Sequence, residues 1–456
     1  MRLWWPLVAL GLLGWVAPVA ASNAAVGLGD ASARQVTIPT WLYLLSGGAV
    51  VGVSALLAGV VTDRRLLDQV VRWGPQRAVP PQVHWLRPLG PGLGVVLAAV
   101  VLYQGWTGPP LALVNPAVAI AFVGVRALVP IAAMTVGDVW RWLDPIQLLG
   151  ARGPPPGGDR WPAVGVYALA VWLETTAGVT DSPRRLAVAV AVYLLAGVVV
   201  TRVWGYPVWH HRVDPLAAVS ALFARVAPLR LDAGGLRLRL PGVGTVAGVP
   251  RDDADAPMTA GELALVLFMV FELTYSGFVN SAPGAAAITT AVGWGVPPLV
   301  VYLGLFLAGA ALTGGGYAVA AQVAHHRIRT TYAPQMLALV FGPTLVAIAA
   351  GYHLAHYLLF AVTASPLLVA AVTAPLTPLS NPVVLAAPGW TQAIPAVAVL
   401  AGHVIAVGAA HISGFRAFPL RRTAIAVQLP FVAVMVGYTM LSLWLVTVPT
   451  AAAVFV

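Results

Sequence analysis

Apolar residues fill most of this chain in blocks of about 18 to 24, the length a helix rising 1.5 Å per residue needs to cross a bilayer. Ten such blocks are legible, at residues 41–61, 90–106, 114–136, 161–179, 186–205, 262–280, 297–319, 336–360, 394–411 and 424–446. Polar residues gather between them. The pattern predicts an all-α fold, a polytopic transmembrane helix bundle of about ten spans. Residues 1–22 precede it, with Arg2, an apolar run from Leu3 to Val16, and small residues at Val19, Ala20 and Ala21. That order describes a cleavable secretory signal; an uncleaved first helix is the alternative. The expected organisation is a signal peptide over 1–22 and a single transmembrane domain over 23–456. Within the latter, 205–261 forms an inner loop.

Composition agrees. Hydrophobic residues make up 59% of the 456, charged residues only 9%, and mean hydropathy is +0.86, values that no ordinary soluble domain reaches. The basic residues are all Arg and number 25 against 15 acids, for a formal charge of +10. Their placement explains the excess. Loops returning to one side hold Arg64, Arg65, Arg72, Arg77 and Arg87, then Arg141, Arg152 and Arg160, then seven between Arg202 and Arg251, and finally Arg327, Arg329, Arg416, Arg421 and Arg422. The opposite side carries Arg34, Arg184 and Arg185. This asymmetry is the positive-inside rule, so the lipid bilayer is the expected partner and no nucleic acid is needed. The expected location is the plasma membrane, with the mature N-terminus outside and the basic loops cytoplasmic.

Two inner loops carry a repeated element. After Trp140 comes Asp144-Pro145 and after Trp209 comes Asp214-Pro215, each pair suited to a helix N-cap and first helical position. Short interfacial helices are expected at both, and the recurrence is a weak hint of duplication. Strict Leu/Arg alternation in LRLDAGGLRLRL, around Gly234-Gly235, predicts a β-hairpin with one apolar and one cationic face. The uncharged, Pro-rich and Gly-rich segment 365–392 reads as a re-entrant loop.

Candidate chemistry lies in the polar groups placed in hydrocarbon, where ionisable side chains are costly and mark functional sites by default. His353 and His356 fall in one apolar block, three apart on a helix face; His403 and His411 fall in the next, about 12 Å apart along the axis and so unable to share one ion. If the two blocks pack as neighbours, His353 and His403 face a common point. Two imidazoles there suit the axial pair of a haem, or part of a copper or zinc site, with Glu272 as a third ligand or proton acceptor. Packing through cross-helix hydrogen bonds is the plainer reading of each His. Arg126 is the clearest intramembrane cation and needs an acidic partner, Glu272 or Glu174. The pair is either structural or a gate, relay or anion site. Pro130, Pro343, Pro430 and Gly314-Gly315-Gly316 are expected to loosen their helices. His84, His210-His211 and His325-His326 lie beside Arg residues at the inner surface and read as interfacial.

The absence of Cys removes disulfides, thiolate metal sites and thiol nucleophiles. No Walker loop, nucleophile elbow, HExxH or dinucleotide fingerprint occurs, so whether the chain is an enzyme stays open.

The strings VPIAAMTVGDVWRWLDP, DSPRRLAVAVAVYLLAG, SALFARVAPL, TLVAIAAGYHLAHYLLF and AGHVIAVGAAH resemble landmarks of a family of polytopic bacterial and archaeal membrane proteins often labelled fenitrothion hydrolase. The resemblance runs from about Ile38 to Leu445. It implies cleavage of an organophosphate triester and supports His356, His403 and His411 as family positions. Three positions depart from the family's pattern. Tyr275-Ser276-Gly277 stands where an acidic FDG-like element is expected, Pro343-Thr344-Leu345-Val346 for HTLV, and Ser380-Asn381-Pro382 for SDP. Losing those acids and that His weakens a hydrolytic reading, because metal-assisted hydrolysis needs several ligands for its activated water. Four functions therefore stand after the sequence: an intramembrane His-bound metal or haem serving electron transfer or metal handling with a membrane redox or transport partner, a proton-coupled or anion-coupled transporter, a membrane hydrolase, and a purely structural subunit of a larger complex.

Overall fold

The computed structural model describes residues 40–77, 89–151, 153, 156–232, 235–247, 258–379, 382–449 and 451–455. The expected signal, residues 1–22, and His84 lie outside them. Helix dominates the described residues, as the apolar blocks dictate. Helix α1 spans Thr40–Val60, α2 Arg64–Arg72, α3 Leu89–Thr107, α4 Pro116–Val136, α5 Trp161–Thr176, α6 Pro183–Trp204 and α7 Pro215–Phe223. Then come α8 over Ala260–Val279, α9 Ala282–Gly293, α10 Pro298–Ile328, α11 Pro334–Phe341, α12 Leu345–Thr363, α13 Ser365–Thr373, α14 Ile394–Ala417 and α15 Arg421–Thr447. Eight stretches among the described residues are long and apolar enough to cross a membrane. Every predicted block contains a helix. Two fall short of that length criterion: α5 has 16 residues, and α1 is apolar in its described part over Gly47–Val60.

Helix α12 is the axis of the bundle. Nearly every residue from Leu345 to His353 is buried, and α12 packs against α4, α8 and α14. Its closest neighbour is α14, because Gly351 and Gly402 meet at the crossing. A Cβ on Gly402 would lie 2.6 Å from the Ala347 carbonyl oxygen, and one on Gly351 2.6 Å from that of Ala398. Small residues permit this backbone contact, which in lipid replaces the missing hydrophobic drive. At the other extreme, α10 turns Leu299, Val300, Leu303, Leu307, Leu312, Val319 and Val323 outward, an apolar surface that suits lipid.

Arginines fasten one end of the bundle. The Arg64 guanidinium, at the start of α2, donates to the Phe415 carbonyl and to those of Phe418 at 2.8 Å and Pro419 at 2.7 Å, satisfying the orphan acceptors at the end of α14. The Leu/Arg alternation forms an antiparallel pair, β2 over Leu229–Asp232 with β3 over Gly235–Leu238, in which Leu229 faces Leu238 and Arg230 faces Arg237. The two-residue strand β1, Gln76–Arg77, joins β3 to give the order β1-β3-β2.

Several helices break where the sequence forbids regular hydrogen bonding. Pro130 has no N–H for the Arg126 carbonyl four residues back, and its ring crowds that oxygen. The backbone between Ala119 and Leu128 accordingly widens to π-type turns, in which the Val129 N–H reaches back five residues to the Gly124 carbonyl. Pro343 sits in a tight turn, Gly342–Thr344, between α11 and α12. Gly314-Gly315-Gly316 and Pro430, by contrast, lie within the continuous helices α10 and α15. Gly314 and Gly315 have no neighbour within 4 Å of a Cβ position, and on the packed side the Tyr438 hydroxyl of α15 donates to the Thr313 carbonyl at 2.6 Å without interrupting the helix.

Segment 365–392 enters as α13, which packs on the widened part of α4, then runs extended over 382–388. The Leu379 N–H donates to the Val114 carbonyl at 3.0 Å, and Gln104 Nε2 to the Pro375 carbonyl at 2.7 Å, so this uncharged segment is pinned into the bundle.

Candidate functional site

Two buried polar centres stand out. The first is built around Arg126 on the π-type stretch of α4. Its guanidinium donates to Glu272 Oε2 on α8 at 2.7 Å and to the Tyr167 hydroxyl on α5 at 3.3 Å. Tyr167 in turn donates to Glu272 Oε1 at 2.7 Å. Glu174 Oε2, also on α5, lies 3.4 Å from Arg126 Nε, yet that N–H has no partner of hydrogen-bonding geometry. Glu174 is therefore held by charge alone. Tyr357 of α12 places its ring face 5.2 Å from the guanidinium carbon, a cation–π contact. Both acids named as partners of Arg126 from the sequence reach it, one as a direct pair and one as a looser third member. Glu272 is 4% exposed at its side chain and Glu174 is 22% exposed, so the looser arm is also the more open one.

The four intramembrane histidines divide. His353 and His356 border the Arg126 centre: His353 Nε2 lies 3.4 Å from the Ala127 carbonyl, and the charges of Arg126 and Glu272 both act on His356. His356 Nδ1 donates to the Tyr352 carbonyl at 2.9 Å. His403 leaves this group, with its Nδ1 donating to the Val399 carbonyl at 2.8 Å and its ring against Tyr352. Its Nε2 is buried without a partner. His411 uses both nitrogens, Nε2 donating to the Val61 carbonyl at 2.7 Å and Nδ1 accepting from Gln428 Nε2 at 3.2 Å. The expected meeting of His353 with His403 is not what the structure presents. No ring contact or hydrogen bond among the described residues joins any two of the four, and each donates to or abuts a main-chain oxygen. For His356 and His403 the partner is local, the carbonyl four residues back, whereas His353 and His411 reach the carbonyls of Ala127 and Val61 on other segments.

The second centre was not visible in the sequence as a site. The two Asp-Pro elements converge. Asp144 caps the turn over Pro145–Leu149, accepting from the Ile146 N–H at 2.9 Å, and Asp214 caps α7, accepting from the Leu216 N–H at 2.9 Å. Their other bonds join them across the fold: Trp140 Nε1 donates to Asp214 Oδ2 at 2.8 Å, the Tyr193 hydroxyl to Asp214 Oδ1 at 2.9 Å, and the Tyr206 hydroxyl to Asp144 Oδ2 at 3.0 Å. His210 completes the group, its Nδ1 3.2 Å from the Tyr206 hydroxyl and 3.5 Å from Asp144 Oδ2. It is carried on a second π-type turn, Trp209–Val213, closed by the Asp214 N–H on the Trp209 carbonyl at 2.8 Å. Both carboxylates are 0% exposed. Burial, and then the Asp144 charge, push the Asp214 carboxyl up to about 7. A surface cleft lined by Arg141, Gly153, Tyr206, Pro207, His210 and His211 opens onto the His210 side. His210 is thus a core residue rather than an interfacial one, and the helix after Asp214 is buried instead of lying on a surface. Asp144, His210 and Asp214 bring one ligand atom each to within 4.8 Å of one another, a set that could hold a metal ion.

No family model, curated protein or solved structure matches the chain. Fold and centres together define a class: an all-α, multi-pass membrane protein with one buried charged centre inside its apolar helices and a second at the turns that connect them.

Proposed function

We propose that this chain is a proton-coupled membrane transporter whose protonation site is the Arg126–Glu272–Glu174 centre. The observation that carries this reading is the charge count. One guanidinium and one carboxylate already make a neutral pair, which is all that burying Arg126 requires. A second carboxylate at 3.4 Å leaves the group at −1 when both acids are ionised and neutral when the pair of acids holds one proton. In hydrocarbon the neutral state of the centre is strongly favoured over the charged one, so the centre as a whole takes up one proton. Loss of that proton draws Glu174 onto the free Arg126 Nε–H; its return releases Glu174 and leaves the Glu272 bond intact. The π-type stretch beside Pro130 gives α4 a place to adjust during that exchange. His353 and His356, at the edge of the same centre, extend the polar path along α12.

Charge movement on a pH jump tests this without knowledge of the solute. Protein reconstituted on a solid-supported membrane gives a transient current as the centre takes up or releases its proton. In an Asp214→Asn background, which removes the carboxyl that titrates near 7 in the second centre, Glu174→Gln and Glu272→Gln each leave a neutral pair at Arg126, so the transient disappears in both. A wild-type protein without the transient, or a Glu174→Gln variant that keeps it in that background, overturns the reading.

A further inference from the structure

The geometry points to a divalent transition-metal site, of the zinc or manganese class, formed by Asp144, His210 and Asp214. Their ligand atoms already lie within 4.8 Å of one another, on three elements fixed independently of any ion: the turn after Trp140, the π-type turn at Trp209–Val213 and the start of α7. Carboxylate oxygen and imidazole nitrogen are the ligands that zinc and manganese accept in a site without thiolate. Charge supports the same assignment. Two carboxylates with no solvent exposure meet no guanidinium in any ion pair among the described residues, and the one base paired with them there is His210. A dication neutralises both.

The surroundings are those of a ligand set held for use. Tyr193 and Trp140 donate to Asp214 and Tyr206 donates to Asp144, as outer-shell donors orient metal ligands, and the Tyr206 hydroxyl also lies 3.2 Å from His210 Nδ1. The cleft lined by Arg141, Tyr206, His210 and His211 brings the surface to the His210 side of the group. This site is separate from the Arg126 centre and shares no residue with it.

The test uses the full chain, purified in detergent, stripped with chelator and loaded with zinc or, in a second arm, manganese. Metal content is measured after desalting, and affinity by calorimetry. One ion per chain is expected. Asp214→Asn, which keeps the cap and the Tyr193 and Leu216 hydrogen bonds, and His210→Gln both lose stoichiometric metal while eluting as monodisperse protein. Tyr193→Phe, which touches only the orientation of Asp214, weakens binding by about 10-fold. A double His325→Ala, His326→Ala variant removes the exposed adjacent pair as an adventitious site and keeps one ion. Wild-type protein that retains neither metal, or metal retained unchanged in Asp214→Asn and His210→Gln, overturns the assignment.

Discussion

Glutamine substitutions at Glu272 and Glu174 remove the same charge from the same cluster, and the structure makes their costs differ. Glu272 is nearly sealed and bonds Arg126 directly at 2.7 Å while accepting from Tyr167 at 2.7 Å. Gln there keeps an oxygen for Tyr167 but turns an NH2 group on the guanidinium NH2. Breaking a buried pair costs 3 to 5 kcal/mol, and since Glu174 remains as counter-ion the lower end applies, about 3 kcal/mol. For a chain of 456 residues, unfolding entropy of about 2 cal/mol/K per residue converts that into about 3 °C in apparent melting temperature. Glu174 makes no hydrogen bond to Arg126 and is part-exposed, so Glu174→Gln costs about 0 to 1 kcal/mol, at the scale of open ion pairs. The double variant strands Arg126 with Tyr167 and Tyr357 alone and yields no monodisperse protein. Melting of detergent-solubilised protein, followed by size-exclusion chromatography after heating, reads all three. Equal losses for the two single variants, or a well-folded double variant, would refute the division into a direct pair and a surplus acid.

Two further outcomes follow from named contacts. Gly402→Ala forces a Cβ to 2.6 Å from the Ala347 carbonyl and separates α12 from α14; an overpacking loss of about 1 to 3 kcal/mol is expected, whereas Gly408→Ala, with nothing within 4 Å of its Cβ, melts like the wild type. If both melt alike, the backbone contact is not limiting. In chelator, stability depends on Asp214: its folded-state value near 7 lies above the ordinary 3.8, so its stabilising contribution is complete below the lower value and disappears as pH rises through about 7. Asp214→Asn flattens that decline between pH 5 and 8, and a wild-type melting temperature that rises over the same range contradicts it.

Much of the architecture could be read from the sequence because lipid imposes a simple rule on it. Apolar blocks become helices, and Arg126 announced its need for one acid, Glu272 or Glu174, because a guanidinium in hydrocarbon must be paired; that both reach it was visible only in the structure. The histidines were harder. Each carries donors that a helix backbone can satisfy from within, so their presence in an apolar block did not say whether His403 meets a ligand or the Val399 carbonyl. The Asp144–His210–Asp214 group was hidden for another reason. Its carboxylates were correctly read as caps, which is what Oδ1 of each does, but their Oδ2 atoms are joined by Tyr206 and Trp140 through contacts spanning about 60 to 75 positions. The repeated Trp and Asp-Pro element was the one sequence signal that touched this site. Likewise, three glycines in α10 suggested a break that the helix does not make, since α15 packs along it there and the Tyr438 hydroxyl bonds the Thr313 carbonyl without displacing the helix.

A centre with one guanidinium and two acids carries one proton in its neutral state. Infrared difference spectroscopy on lipid-reconstituted protein, with pH exchange as the perturbation, observes the carbonyl stretch of a protonated carboxyl directly. Because the Asp214 carboxyl also titrates near 7, the comparison is made in an Asp214→Asn background, where such a band is expected and is lost when Glu174→Gln is added. In that background, a band that survives Glu174→Gln unchanged, or no band at all, would leave the Arg126 centre as a structural ion pair.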